Sequence, residues 1–461
     1  MKIIIAGAGS VGSHLAGLLT RDNQDIVLLD EDSDKLAAAS EGLDLMTLAV
    51  SPTSIMGLRE AGVPQADLFI AVTPSETKNM TCCMLAHSLG AKKTVARIDN
   101  AEYVDERNRD FFTRMGIGSL IYPEVLAAEE IVASVKRSWV RQYWDVHDGA
   151  LITLGIKLRE EASSLFGQPL KDLCKPDSPY HIVAIKRDEA TIIPGGFDEL
   201  RLGDIAYFMT TKKFVPQLRQ LVGKESYPDV KRLFIMGGGR IAVQTCHKLP
   251  DYMDARLIER DYARCMRLTD LLDNDNVIVI NGDGRDTKLL QAEGIHQAQA
   301  FCALTPETET NILACLAAKR MGVRKTVALV ENQEYIDMAE KLDIGTILNK
   351  KAIAASHIYQ MLLDADVASV KSLTIADADV SEFVAVEGAL ITRRPVMELG
   401  LPKGIAVGGI VRNGEGMLVN GRTQIMPGDR VVCFSRTAEF KNLDRFFQKP
   451  KGGLTGMLFG R

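Results

Sequence analysis

MKIIIAGAGSVGSHLAGLLTRDNQDIVLLD, residues 1–30, decides the fold. Lys2 to Ala6 is a short apolar run rich in β-branched residues, which suits a buried strand. Gly7, Gly9 and Gly12 follow as G-x-G-x-x-G, and Val11, Leu15, Leu18 and Leu19 then recur at helical spacing. A second apolar run, Ile26 to Leu29, ends in Asp30. Strand, glycine turn, helix, strand and acid is the order that a dinucleotide site requires. Gly7 makes the tight turn, Gly9 lets the backbone approach a pyrophosphate, and Gly12 lets helix and strand pack closely. The helix N-terminus offers N–H groups and a partial positive charge to phosphates. Asp30 can accept hydrogen bonds from a ribose diol. Its charge repels a 2′-phosphate, so NAD(H) or an adenosine nucleotide is favoured over NADP(H).

Further along, the same alternation continues. A helix is expected after Asp30, a third strand over Leu43 to Val50, and a helix from Thr53 to Ala61. Leu68 to Val72 reads as a buried strand, with Thr73-Pro74 just beyond its C-terminal end, where α/β sheets carry ligands. Helices over Glu76 to Leu89 and Val104 to Met115 flank a strand over Lys93 to Arg97. The pattern is a doubly wound parallel α/β sheet. Tyr122 to Arg141 is helical in spacing, and Val125, Ala128, Ile131, Val132 and Val135 make one apolar face. A helix left over after a complete sheet must bury that face elsewhere, as a connector or dimer helix. From Ala150 to Val222 strand-like runs alternate with turns, including Arg187-Asp188-Glu189 as a hairpin loop and Leu202-Gly203-Asp204 as a turn. This reads as a small α+β module.

Then the chain starts again. KRLFIMGGGRIA restates the opening, with Gly237, Gly239 and Ala242 in the triplet positions; Gly7 to Gly237 is a shift of 230. Glu259 stands where Asp30 stood, a shift of 229, and Ala303 to Ile312 restates Ala71 to Met80, a shift of 232. The helix returns as KKAIAASHIYQMLLDAD, and the β-rich module as Val370 to Val432, with Pro427-Gly428-Asp429 in its turn. A near-constant offset at this many places means duplication. The expected fold is two tandem Rossmann-like doubly wound domains, each followed by a small α+β module. The expected segments are 1–121, 122–143 (connector helix) and 144–225, then 230–348, 349–366 (connector helix) and 367–452.

Composition narrows the class. Hydrophobic residues are 46% and charged residues 25% of 461, with net charge −5 and no basic run, which argues against a nucleic-acid partner. No apolar stretch approaches the length of a membrane span, and no leader layout opens the chain. The eight cysteines are scattered without paired spacing, so a reducing cytosol is expected, and the seven histidines form no metal-ligand spacing.

With the repeat in view, the chain resembles the cytosolic regulators of bacterial Trk potassium uptake, a family of tandem RCK (or KTN) domains. GAGSVG with Asp30, IAVTPSETKN, VARID, GGGRIA with Glu259, INGDG and LTPETETN carry the resemblance, which spans nearly the whole chain. It implies a peripheral regulatory subunit at the cytosolic face of the inner membrane. That subunit would form a homo-oligomeric ring beneath a separate Trk-type potassium-translocating protein. Nucleotide occupancy, NAD+/NADH or else ATP/ADP, would bias the ring between two shapes without breaking a bond. By position, the resemblance assigns Gly7, Ala8, Gly9, Ser10 and Val11 to the first phosphates, Asp30 to the ribose, and Thr73, Pro74 and Arg97 to the rest of the first pocket. Gly237, Gly238, Gly239, Arg240, Ile241, Glu259, Thr305 and Pro306 form the second, with Asp283 near the adenosine end.

The copies differ. Gly282-Asp283 in the second copy is Ser51-Pro52 in the first, and Arg97 aligns with Leu329. The first site is therefore expected to favour a phosphate-rich or dinucleotide ligand, with Arg240 offering charge to the second. The two Gly-Asp turns of the small modules, Gly203-Asp204 and Gly428-Asp429, read as backbone features. The competing function is an NAD-linked oxidoreductase, but neither small module presents a His–Asp or Lys–Tyr pair for proton transfer. An ATPase motor would need a G-x-x-x-x-G-K-[ST] loop, which the sequence lacks.

Overall fold

The computed structural model describes residues 1–448 apart from 21–23, 148, 176, 189, 273–275, 333, 363–366, 373–377, 437–438, 440–441 and 444. Parts of the expected second connector and second module (363–366, 373–377, 437–438, 440–441, 444 and 449–452), and Glu189 of the hairpin loop, therefore lie outside the described residues.

The first copy runs β1 (Lys2–Ala6), α1 (Ser10–Thr20), β2 (Asp25–Asp30), α2 (Ser33–Ser40), β3 (Met46–Ala49), α3 (Ile55–Glu60), β4 (Leu68–Ala71), α4 (Glu76–Leu89), β5 (Lys93–Arg97), α5 (Arg109–Arg114), β6 (Ser119–Ile121) and α6 (Pro123–Val135). The strands pair in parallel in the order β3-β2-β1-β4-β5-β6. The order reverses between β1 and β4, and that switch point is where ligands bind in open α/β sheets. The first small module comprises β7 (Gln142–Val146), β8 (Leu151–Lys157), α7 (Leu170–Leu173), β9 (Tyr180–Arg187), β10 (Ala190–Ile192), β11 (Ile205–Thr210) and α8 (Val215–Leu221). The second copy gives β12 (Arg232–Met236), α9 (Arg240–Lys248), β13 (Asp254–Glu259), α10 (Tyr262–Leu271), β14 (Val277–Asn281), α11 (Thr287–Ala292), β15 (Ala300–Ala303), α12 (Thr308–Arg320), β16 (Lys325–Leu329), α13 (Glu334–Lys341), β17 (Thr346–Leu348) and α14 (Lys350–Leu362). Its sheet repeats the first, β14-β13-β12-β15-β16-β17. The chain closes with β18 (Val367–Ser372), β19 (Ala378–Val384), β20 (Ile405–Arg412), β21 (Glu415–Leu418) and β22 (Arg430–Arg436). The two small sheets share one antiparallel order, β7-β8-β11-β9-β10 and β18-β19-β22-β20-β21, so the duplication extends to them.

Three local readings change. Val104 to Met115 is not one helix. Asn100 and Asp105 each accept the N–H two residues on, which breaks the segment into two 3-10 turns before α5. A sixth strand, β6, precedes α6; three residues are too few for periodicity to show it. The helix read over Tyr122 to Arg141 ends at Val135, and Gln142 already opens β7.

The chain divides into two compact units, and like groups with like. One comprises 1–138 with 228–362, the other 139–227 with 363–461. Within the first unit the two copies exchange helices. The apolar face of α6 (Ala127, Ile131, Val132, Val135) sits in the core beneath the second sheet, against Leu233, Ile235 and Ile241. Ala354, Ala355 and Ile358 of α14 sit in the core beneath the first sheet, against Ile3, Ile5 and Leu15. Each fully buried isoleucine contributes roughly 1.5–3 kcal/mol, so the exchange ties the halves together by apolar burial.

Within the second unit one core joins both small sheets, with Val183, Tyr207 and Met209 against Val380, Val411 and Phe434. Glycine permits the approach: a Cβ on Gly416 would stand 2.0 Å from the Ala150 carbonyl oxygen.

Candidate functional site

Each glycine loop opens at the switch point of its sheet. Gly7 has φ +113°, and a Cβ there would meet Thr73 N at 3.0 Å; Gly237 has φ +96° and faces Thr305 in the same way. A Cβ on Gly12 would stand 1.9 Å from the Gly7 carbonyl oxygen. Gly9 behaves differently. Nothing lies within 4 Å of a Cβ placed on it, and for Gly239 the nearest atom is Leu304 O at 3.9 Å. The fold requires no small residue at these two positions. The open space beyond them is what a pyrophosphate resting on the loop would use.

The two acids are held alike. Ala8 N–H donates to Asp30 Oδ2 at 2.7 Å and Asp32 N–H to Oδ1 at 3.0 Å. Gly238 N–H donates to Glu259 Oε2 at 2.8 Å and Asp261 N–H to Oε1 at 2.9 Å. A carboxylate offers about four acceptor positions, so each keeps capacity for a ribose diol while orienting its own loop. The side chains of Val11 and Ile241 are buried, 5% exposed each. Only the backbone N–H of each is available to a ligand.

The Thr-Pro turns are set by asparagines that sequence reasoning did not single out. Asn79 Oδ1 accepts from Thr73 N–H at 2.8 Å and from Thr73 Oγ1 at 2.7 Å, while its Nδ2 donates to the carbonyls of Thr73 and Arg97, both at 2.9 Å. Asn311 repeats all four bonds around Thr305 and Leu329. The threonine hydroxyls are thus committed to the fold. The motifs PSETKN and PETETN contain the signal, an asparagine six residues after the threonine.

The second site encloses a cavity of about 560 Å³ whose lining comes from both halves. Gly237, Gly238, Gly239, Glu259, Asp283, Thr305 and Pro306 line it together with Arg240, Arg260, Arg264, Arg285 and Lys350. Glu124, from α6 of the first half, also lines it. Asp283 chelates Arg285 (Nε–Oδ1 3.0 Å, Nη2–Oδ2 2.7 Å), and these hydrogen bonds hold its carboxyl down at about 2.

The second site thus gathers cations beyond the Arg240 that the sequence comparison singled out. At the positions of Arg240, Arg260, Arg264 and Arg285 the first copy has Ser10, Glu31, Lys35 and Thr53. Exposed arginines after a strand carry no sequence signature, so their convergence was not legible. Arg97 lies at the end of β5 with its side chain 18% exposed and its buried Nε without a hydrogen-bond partner. Its Nη2 is 3.6 Å from Asp99 Oδ1. Arg240 Nη1 reaches the other oxygen of the same Asp99 at 2.8 Å.

Outside the two sites, the Gly-Asp turns are structural. Asp204 takes a bidentate bond from Arg187 (2.9 and 2.8 Å), and Asp429 one from Arg412 (2.8 and 2.7 Å). Among the described residues no cluster of three or more histidine, cysteine or acidic side chains is placed to hold a metal, and no helix is long and apolar enough to cross a membrane.

Comparison with known proteins agrees with this layout. The TrkA-N domain family matches residues 3–123 and 233–350. The Trk system potassium uptake protein TrkA of Azorhizobium caulinodans is 30% identical over 97% of this chain and 99% of its own. The protein of that name from Vibrio alginolyticus is 31% identical, covering 94% of this chain and 95% of its own. Among solved structures, the RCK domain of GsuK superposes with a TM-score of 0.59 at 16% identity, covering 97% of this chain and 94% of that one. The GsuK channel bound to NAD gives the same TM-score at 17% identity, over 97% of this chain and 78% of that one. At such identity these two show likeness of fold.

Proposed function

The chain belongs to the TrkA-N domain family, and on that premise we propose that it is the cytosolic, nucleotide-sensing subunit that gates a Trk-type potassium-translocating membrane protein. The observation that carries the reading is the paired loop. Two glycine turns each have an acid bound to the turn's backbone and open space where a pyrophosphate would rest. The relatives named as potassium uptake proteins match over almost the full length of both partners. The alternative, an NAD-linked oxidoreductase, has no support from them.

In this reading 1–121 and 230–348 are nucleotide-binding domains, and the helices within 122–143 and 349–366 lock them together. The modules at 144–225 and 367–452 transmit their posture. NAD+/NADH and ATP/ADP are the ligands. Gly7, Ala8, Gly9, Ser10, Val11, Gly12, Asp30, Thr73, Pro74 and Arg97 form site one. Gly237, Gly238, Gly239, Arg240, Ile241, Glu259, Asp283, Thr305 and Pro306 form site two. The protein works as a homo-oligomeric ring at the inner face of the membrane. A nucleotide shifts that ring only by binding one of its shapes more tightly than the other.

The test is potassium uptake in bacterial cells that lack their Trk regulator and keep the membrane subunit. The parent restores uptake, and a Gly9→Trp, Gly239→Trp variant, which fills both open spaces, changes it. A folded, well-expressed parent that neither restores uptake nor co-purifies with a Trk membrane subunit would contradict the reading.

A further inference from the structure

We propose that Asp99 is a counter-ion shared between the two nucleotide sites, so that filling one site weakens the other. The proposal rests on the reading of both loops as nucleotide sites. Arg97, the cation of site one, and Arg240, the first residue of the helix that opens site two, bind opposite oxygens of this one carboxylate, at 3.6 and 2.8 Å. Asp99 cannot follow either partner. Its backbone N–H and that of Asn100 are anchored on Glu76 Oε2, at 2.9 and 3.0 Å.

Both arginines have reason to leave. Arg97 keeps a buried Nε without a hydrogen-bond partner, and it sits at the C-terminal end of β5, on the edge of the sheet where the switch point lies. Arg240 lines the second cavity beside Gly239. A phosphate on either loop draws its arginine away from Asp99. The carboxylate is then left to the other arginine alone and holds that one harder. The second phosphate must therefore break a stronger pair than the first. Coupling of this kind is reciprocal by thermodynamic necessity.

The pair is partly screened, because the Arg240 side chain is 52% exposed. The weakening is therefore modest, roughly two- to fivefold in dissociation constant, the range of a partly exposed ion pair. Asp99 is a positioning residue: it acts on the ligand only through the two arginines.

The experiment is calorimetric titration with NADH of the full chain in three forms. Gly239→Trp isolates site one, Gly9→Trp isolates site two, and the parent carries both. Negative coupling makes the product of the parent's two stepwise dissociation constants exceed the product of the isolated constants by that factor. Asp99→Asn in all three backgrounds brings the ratio to one, Asp99→Glu retains part of it, and added salt reduces it as screening requires. A merely structural role for Asp99 would leave the ratio unmoved by salt. Independent sites in the parent, or coupling that survives Asp99→Asn, would overturn the proposal while leaving the nucleotide reading intact. No NADH bound by any form would overturn the NAD(H) assignment itself, and the coupling with it.

Discussion

Glu124, from the first half, accepts from Lys350 Nζ of the second half at 3.2 Å, with the glutamate side chain only 3% exposed. Lys350 also lies 3.4 Å from Glu331. One ammonium thus serves two acids where the exchanged helices begin. Removing it leaves a buried carboxylate unpaired, which typically costs about 3–5 kcal/mol; partial solvation of the lysine brings this to roughly 2–3 kcal/mol. Lys350→Ala is expected to lower the denaturation midpoint more than Glu124→Gln does. The double variant should recover part of the loss. Additive effects in that cycle would show that the pair carries no shared energy.

Asn79 makes three hydrogen bonds to Thr73 and a fourth to the Arg97 carbonyl, and its side chain is buried. Asn79→Ala strands the Thr73 N–H and removes the donor to the Thr73 and Arg97 carbonyls, and should destabilise the protein by about 1–3 kcal/mol. It should also weaken nucleotide binding at site one, because the turn beside the loop is no longer fixed. Loss of stability with an unchanged NADH affinity in the Gly239→Trp background would separate the turn from the site.

Burial lowers the pKa of His357 in α14 and of His181 in β9 below the ordinary 6.5. The folded protein then takes up protons less readily than the unfolded chain. Stability is full above about pH 6.5 and falls as the pH drops toward the folded values. The midpoint measured from pH 8 to 5 should decline, and His181→Gln with His357→Gln should flatten that decline. An identical slope in the double variant would assign the acid sensitivity to other groups.

Gly12 and Ala242 occupy the same triplet position, yet they are not interchangeable. The first loop has its Gly7 carbonyl 1.9 Å from where a Cβ on Gly12 would stand. Gly12→Ala should therefore cost on the order of 1–3 kcal/mol, although the second copy carries alanine there. A neutral Gly12→Ala would mean that the first loop can relax to the geometry of the second.

The glycine loops, the acids and the repeat were legible because each is local: a turn, a cap or a strand end dictates its own residues. The helix exchange was not. The stripe read as Val125, Ala128, Ile131, Val132 and Val135 announces burial but carries no address, and the partners that the structure gives Ile131, Val132 and Val135, with Ala127, lie a hundred residues on. The cations of site two were illegible for a related reason. Arg260 and Arg264 follow β13 and Arg285 follows β14, and only the sheet order brings them round one cavity with Arg240. The comparison of aligned positions, which weighed only Arg97 and Arg240, therefore left these three cations out.

The two glycine loops are the proposed nucleotide sites, and the stoichiometry of NADH binding to the full chain tests this most directly. The parent should bind one equivalent at each loop, Gly9→Trp and Gly239→Trp should each lose one, and the double variant should bind none. Parent-like binding by a folded double variant would contradict the account, since a side chain would then fill both places where the pyrophosphate is said to rest.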